Sequence, residues 1–169
     1  ATITNMGAEL GATTSIFPAD EQVRKFMKSQ KREDEYRELL ADQDAEYDEV
    51  IDLDLSSLQP LVACPHQPDN VKPLSEVEKL PVQQVFIGSC TNASYADIAK
   101  AALVFKGHKV NDNVSCTCAI VSRQTYKALM EDGYLGMLMD AGVRILEIAC
   151  GPCCAIGQTP ATEGIAVRT

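Results

Sequence analysis

The second half of the chain alternates between short apolar runs and longer segments of helical periodicity. The apolar runs predict strands over residues 84–87, 114–121 and 144–149. The longer segments predict helices over 95–105, ending near Gly107, and over 124–139, with interruptions at Gly133 and Gly136. This order predicts an α/β fold with three α/β/α layers, in which helices cover a parallel sheet joined by right-handed crossovers.

The first half shows weaker patterns. Pro18-Ala19-Asp20 begins a predicted helix with Val23, Phe26 and Met27 as its apolar stripe, and a surface helix is expected to continue through the polar segment 29–44. Alternation over 47–55 predicts a half-exposed strand. Four prolines then follow, at positions 60, 65, 68 and 73. Because none suits a central strand or helix, we place a domain boundary near residue 65, between segments 1–64 and 65–169.

Charge and composition exclude several classes of function. The net charge is −9, and eleven of the 24 acidic residues lie between Glu33 and Asp54, which indicates a solvated acidic face. Nucleic acid is therefore an unexpected partner. No apolar run is long enough to span a bilayer, so no membrane partner is expected either. Seven cysteines, spaced like ligands, indicate a reducing compartment: the cytoplasm of a bacterium or the mitochondrial matrix.

Two cysteine-bearing segments follow predicted strands. Cys90 comes after the strand 84–87 and the turn-forming Gly88, and Cys150 and Cys153 follow the strand 144–149. Thr91 and Asn92 are expected to begin or cap the next helix, whose positive end would favour a thiolate. Because sites form where parallel strands end, these cysteines are expected to converge at the carboxyl edge of the sheet. We interpret the site as an iron–sulfur cluster.

Other interpretations of the cysteines remain open. Cys-x-x-Cys also occurs in zinc and dithiol sites, although neither histidine, His66 nor His108, lies near a motif. Cys116 and Cys118 share a strand face and are expected in the core. Cys154 could supply a fourth thiol, and Cys64 has no assigned role. Three cysteines on a four-iron cluster would leave one iron open, which could act as a Lewis acid.

Asn5 and Glu9 lie four residues apart in a segment rich in small residues. On a helix they would share one face. Spacing alone favours an ordinary packed helix, in which the two side chains only cap it or contact solvent.

Three motifs together resemble the aconitase family of iron–sulfur hydro-lyases. They are Asn5-Met6-Gly7-Ala8-Glu9 with Gly11-Ala12-Thr13-Thr14, then Gly88-Ser89-Cys90-Thr91-Asn92 with Tyr95-Ala96-Asp97, and finally Cys150-Gly151-Pro152-Cys153 with Gly157-Gln158. The resemblance implies a [4Fe-4S] cluster held by Cys90, Cys150 and Cys153. It also implies that Asn5 and Glu9 line the active site, with Glu9 near the open iron.

The resemblance carries further expectations about the parent protein. Residues 1–64 would be part of an adjacent α/β domain contributing active-site residues, and 65–169 an incomplete cluster-binding domain. The insertion Cys154-Ala155-Ile156 departs from the usual second motif. The arginine-bearing segment, the serine base and the aspartate–histidine pair of the family are absent. We therefore expect a fragment that is inactive alone and whose partners are the missing N- and C-terminal domains.

The expected parent reaction is the isomerisation of citrate to isocitrate through cis-aconitate, with these small carboxylates as substrates. Alternatives are 3-isopropylmalate dehydratase or homoaconitase, which share the cluster motifs. Further alternatives, of another class, are a cluster-free RNA-binding module and a zinc-stabilised domain.

Overall fold

The computed structural model describes residues 2–7 and 9–169. Its helices are α1 (Thr2–Asn5), α2 (Glu21–Ser29), α3 (Tyr95–Phe105), α4 (Arg123–Glu131) and α5 (Tyr134–Asp140). Its strands are β1 (Leu61–Ala63), β2 (Val71–Pro73), β3 (Gln84–Gly88), β4 (Ser115–Ala119), β5 (Arg144–Ile145) and β6 (Ala166–Arg168). Short 3-10 turns occupy Glu33–Glu35, Leu55–Ser57, Leu74–Glu76 and Gly151–Cys154. No helix in the described ranges is long and apolar enough to cross a membrane.

The chain divides into two compact units. One contains Ala1–Ser15 together with Leu80–Thr169, and the other contains Ile16–Lys79. The boundary expected near residue 65 lies inside the second unit, because β1 and β2 pair as an antiparallel hairpin on either side of it. The segment that bears Asn5 is therefore grouped with the cysteine motifs and not with the residues that follow it in sequence.

The larger unit is built on a parallel sheet with strand order β5-β4-β3-β6. Cys116 and Cys118 on one face of β4 pack with α3, α4 and α5, while Thr117 on the opposite face is also fully buried. A parallel sheet in an α/β protein is typically buried on both of its faces. The predicted α/β fold, with a parallel sheet flanked by helices, is confirmed.

Packing of α3 against its neighbours forms the core of this unit. Ile98, Leu129 and Leu138 come from three different helices and are each fully buried. Burying a side chain of this size contributes roughly 1.5–3 kcal/mol. Helix α3 has the predicted bounds, and the helical stretch 124–139 divides at Gly133, whose φ of 80° interrupts the helix.

Three local predictions were wrong, and one strand was missed. Segment 47–55 forms no strand, and Ile51 and Leu53 are exposed by 73% and 67%, since alternation provides a strand only where a partner accepts its hydrogen bonds. Helix α2 begins after Asp20 as predicted but ends at Ser29, and the only helical residues of segment 30–44 are those of the 3-10 turn Glu33–Glu35. Strand β5 is two residues long instead of six. Strand β6 was not predicted.

Candidate functional site

The turn after β3 presents Cys90 at the edge of the sheet. Gly88 has a φ of 118°, and a Cβ there would lie 2.0 Å from the carbonyl oxygen of Ala119 on the adjacent strand. Only glycine fits such a close approach of two backbones. Ser89 follows with a φ of 69° and donates its amide to the same oxygen at 3.1 Å. The chain thereby leaves the sheet abruptly, and Cys90 is exposed immediately beyond it.

Helix α3 begins with a different cap from the one expected. Ser94 is the N-cap, and it forms a capping box with Asp97, whose carboxylate accepts from the Ser94 amide and hydroxyl. Thr91 and Asn92 therefore belong to the loop before the helix. The reciprocal bonds of the capping box satisfy the donors at the helix start. The expected effect of this helix end on the Cys90 thiol stays a prediction, and the structure adds a direct side-chain contact to that thiol.

That contact comes from Asn5 at the end of α1. Its side-chain amide donates to the sulfur of Cys90 at 3.1 Å and to the hydroxyl oxygen of Thr91 at 2.9 Å. The Asn5 bond is the main reason that the pKa of the Cys90 thiol lies below its ordinary value, with smaller contributions from the Thr91 and Ser89 hydroxyls against the opposing effect of burial. A hydrogen bond to the charged form favours ionisation.

Glu9 lies outside α1, so it does not share a helical face with Asn5 as the spacing suggested. The helix ends at Asn5, and Glu9 occupies an exposed turn. None of the hydrogen bonds found in the described ranges involves the Glu9 carboxylate. Its predicted place in the active site stays a prediction.

Cys150 and Cys153 lie in the loop between β5 and β6. Because β5 ends at Ile145, Cys150 is five residues beyond the strand end, and Gly151–Cys154 forms a 3-10 turn. Both cysteines are exposed. Within residues 2–7 and 9–169, no three His, Cys, Asp or Glu side chains form a group that could hold a metal ion. The convergence of the three sulfurs expected from strand ends is therefore not observed in the described residues.

The remaining cysteines differ chemically from these three. Burial raises the pKa of Cys116, and burial together with the neighbouring Cys116 raises that of Cys118 to about 12, so both stay protonated core residues as predicted. Cys154 donates its thiol to the Gly151 carbonyl at 3.4 Å. Cys64 belongs to the other compact unit. Cys90, Cys150 and Cys153 remain the candidate donors as free, exposed thiols, and soft sulfur donors of this kind fit an iron–sulfur cluster.

Comparison with known proteins decides the family. The profile of the aconitase family (aconitate hydratase) matches residues 1–81 and 75–169. The chain belongs to the aconitase family. Aconitase-family proteins are hydro-lyases that carry a [4Fe-4S] cluster, so the implied cofactor agrees with the donor set.

Several relatives within the aconitase family share a name. The chain is 43% identical over 163 residues to 3-isopropylmalate dehydratase large subunit 2 of Archaeoglobus fulgidus, covering 96% of this chain and 39% of that relative. It is 40% identical over 157 residues to large subunit 1 of Thermotoga maritima, covering 92% and 38%. It is 43% identical over 149 residues to large subunit 1 of Methanopyrus kandleri, covering 88% and 35%. The chain therefore spans less than two fifths of the length of each.

Sequence reasoning missed one feature of this site. Arg168 on β6 donates from Nη1 to the carbonyl oxygens of Pro152 and Cys153 at 2.7 and 3.2 Å. No cysteine or catalytic motif marks Arg168. An apolar run around Ile165 and Val167 was the only available signal, and it was too short to predict a strand.

Proposed function

We propose that the chain forms the cluster-binding part of a 3-isopropylmalate dehydratase of the large-subunit type. The observation that carries this proposal is the identity of 38–43% to relatives of that name over about nine tenths of the chain. The substrate would then be a branched hydroxy dicarboxylate, and a small subunit would complete the enzyme. Citrate isomerisation, our expectation from the motifs alone, receives less support, because these relatives are named for a different substrate.

The candidate site residues of this chain have different roles in the proposed reaction. Cys90, Cys150 and Cys153 would hold the [4Fe-4S] cluster, which supplies a Lewis acid for the hydroxyl that leaves or adds. Asn5 would orient the Cys90 sulfur and stabilise its thiolate through the bond already present at 3.1 Å. Glu9, with its exposed carboxylate, would accept a hydrogen bond from the hydroxyl or water that is exchanged.

The chemistry requires the hydroxyl group and a proton to leave adjacent carbons. We assign the removal of that carbon-bound proton to none of the described residues of this chain and propose that the base comes from another part of the enzyme. This chain would hold the cluster that polarises the hydroxyl group, and the base from elsewhere in the enzyme would remove the proton from the adjacent carbon.

The test compares two substrates on the full-length protein with its small subunit, reconstituted anaerobically with iron and sulfide. The unsaturated acid formed from each is followed by ultraviolet absorbance. We expect kcat/KM for 3-isopropylmalate to exceed that for citrate by about 100-fold or more, because a pocket for an isopropyl group leaves the third carboxylate of citrate unpaired. A preference for citrate would restore the aconitase interpretation. Failure to take up a cluster would reject both.

A further inference from the structure

Arg168 and Thr169 contact both cysteine-bearing loops of the larger unit. The guanidinium of Arg168 holds the Pro152 and Cys153 carbonyls at 2.7 and 3.2 Å. The hydroxyl of Thr169 accepts the Gly88 amide at 3.0 Å. Adjacent residues thus bond to the loop that bears Cys153 and to the turn that presents Cys90.

The sheet sets the position of this pair. Strand β6 lies parallel to β3 with Arg168 opposite Phe86, and the Thr169 amide donates to the Phe86 carbonyl at 3.1 Å. Arg168 therefore emerges at the same carboxyl edge as the turn at Gly88. The backbone of Arg168 is paired with β3, the strand that precedes Cys90, and its side chain bonds to the second loop, which contains Gly151–Cys154. Arg168 therefore fixes the position of this loop relative to β3.

The second loop needs external support. Gly151 has a φ of 32° and Ala155 a φ of 61°, so both ends of the short turn are in the left-handed region. Such conformations cost of order 1–3 kcal/mol for a residue other than glycine and persist only where the surroundings hold them. The carbonyls that Arg168 engages lie between these two positions, and one of them belongs to Cys153 itself.

We propose that Arg168 is a positioning residue for the cluster: it fixes the peptide planes on either side of Cys153 and thereby the direction of the Cys153 sulfur relative to Cys90. Thr169 holds the opposite loop. The inference rests on the proposed function, since it assigns Cys153 and Cys90 as ligands. Arginine suits this role because its planar guanidinium is always charged and a single Nη1 carries two hydrogens, one for each carbonyl.

The experiment uses the full-length protein in four forms: wild type, Arg168→Met, Arg168→Lys and the control Arg123→Met. Arg123 lies exposed at the start of α4, so its loss removes the same charge away from the loop. Three quantities are measured: the lifetime of the reconstituted cluster in air, its EPR spectrum after one-electron reduction with dithionite, and amide hydrogen exchange at Ala155 and Ile156 in cluster-free protein. These amides donate to the Pro152 and Gly151 carbonyls within the turn.

We expect Arg168→Met to shorten the cluster lifetime by about 10-fold or more, the usual effect of removing a partner that orients a metal ligand. Its EPR spectrum should change and its two amides should exchange faster. Arg168→Lys, which keeps the charge and can still donate, should recover much of the wild-type lifetime and spectrum. Arg123→Met should match the wild type.

The outcomes separate this inference from the proposed function. Wild-type exchange, lifetime and spectrum in Arg168→Met would overturn the positioning role while leaving the dehydratase proposal intact. A wild-type protein that takes up no cluster would reject the proposed function, and the exchange rates would still decide whether Arg168 holds the loop. If Arg168→Met does not fold, Arg168→Ala, which is also neutral and cannot donate a hydrogen bond, is compared with the same controls and the same expected outcomes.

Discussion

The side-chain amide of Asn5 lies 3.1 Å from the sulfur of Cys90, a residue 85 positions away in sequence. This bond joins the first motif of the chain to the second and lowers the pKa of the thiol. It gives Asn5 a definite chemical task, which spacing within the first motif did not reveal.

Replacing Asn5 with leucine should raise the pKa of Cys90. In the folded protein the Cys90 thiolate persists to a lower pH than in an ordinary cysteine. Without the Asn5 amide, ionisation of the Cys90 thiol should shift to higher pH. Alkylation of Cys90 at neutral pH, followed by peptide mass spectrometry on cluster-free protein, should therefore become slower. Asn92→Leu, which removes an amide two residues from Cys90, is the control. An unchanged profile in Asn5→Leu would show that the bond does not control the thiol.

The ligand assignment predicts a clear division among the cysteines. Serine at position 90, 150 or 153 should each abolish stable iron and sulfide binding in the full-length protein. Cys154→Ser should retain it, because the Cys154 thiol is engaged with the Gly151 carbonyl. Cys118→Ala should also retain the cluster but lower stability by about 1 kcal/mol or more, since a fully buried group is truncated. Cluster loss in Cys154→Ser would require a different ligand set.

Glu9→Gln should separate catalysis from cluster binding. The exposed carboxylate holds no element of the fold in place, so iron content and unfolding midpoint should match the wild type. Turnover should fall by about 100-fold or more if the carboxylate handles the exchanged hydroxyl or water. Undiminished turnover would remove Glu9 from the site.

Gly88→Ala should destabilise the protein strongly. The new Cβ would meet the Ala119 carbonyl oxygen at 2.0 Å on a backbone with a φ of 118°, so the two central strands must separate. We expect a loss of about 2–4 kcal/mol in the free energy of unfolding. Gly136→Ala is the matched control: a Cβ there meets nothing within 4 Å inside α5, and alanine should add about 0.5–1 kcal/mol. Chemical unfolding measures both, and equal effects would contradict the account of the turn.

The hydrogen bond from Tyr95 to Asp132 predicts a titration at high pH. The Tyr95 hydroxyl donates to the carboxylate at 2.5 Å, and this bond, aided by burial, raises its pKa to about 12. Because the folded value lies above the unfolded value of about 10, the contribution to stability is complete below pH 10 and is lost as the pH rises through about 12. Asp132→Asn should return the absorbance titration of Tyr95 toward its ordinary range.

Two controls define that measurement. Tyr95→Phe removes the absorbance change of Tyr95 and so distinguishes its titration from those of the other tyrosines. Asp112→Asn removes a carboxylate from a loop that does not take part in the contact between Tyr95 and Asp132. A titration of Tyr95 that is the same with and without Asp132 would mean that the carboxylate is not its partner.

Much of the larger unit follows from local sequence. The bounds of α3 and the central strands were predictable because a buried parallel strand reads as an apolar run and a capped helix carries its own periodicity. The motif of Cys90 and the motif of Cys150 and Cys153 could also be identified from the sequence, since turn glycines and ligand spacings are properties of neighbouring residues. These local features sufficed to indicate the aconitase family and a [4Fe-4S] cluster.

Tertiary structure decided the relationships between distant segments. The segment 47–55 alternates like a strand but finds no pairing partner in the described chain, while β6 forms from an inconspicuous segment because β3 offers it an edge. The bond from Asn5 to Cys90 and the bonds from Arg168 to the Cys153 loop depend on where the sheet brings its edges. Local sequence determines what each residue can donate or accept, but only the folded chain determines which distant atoms come within reach.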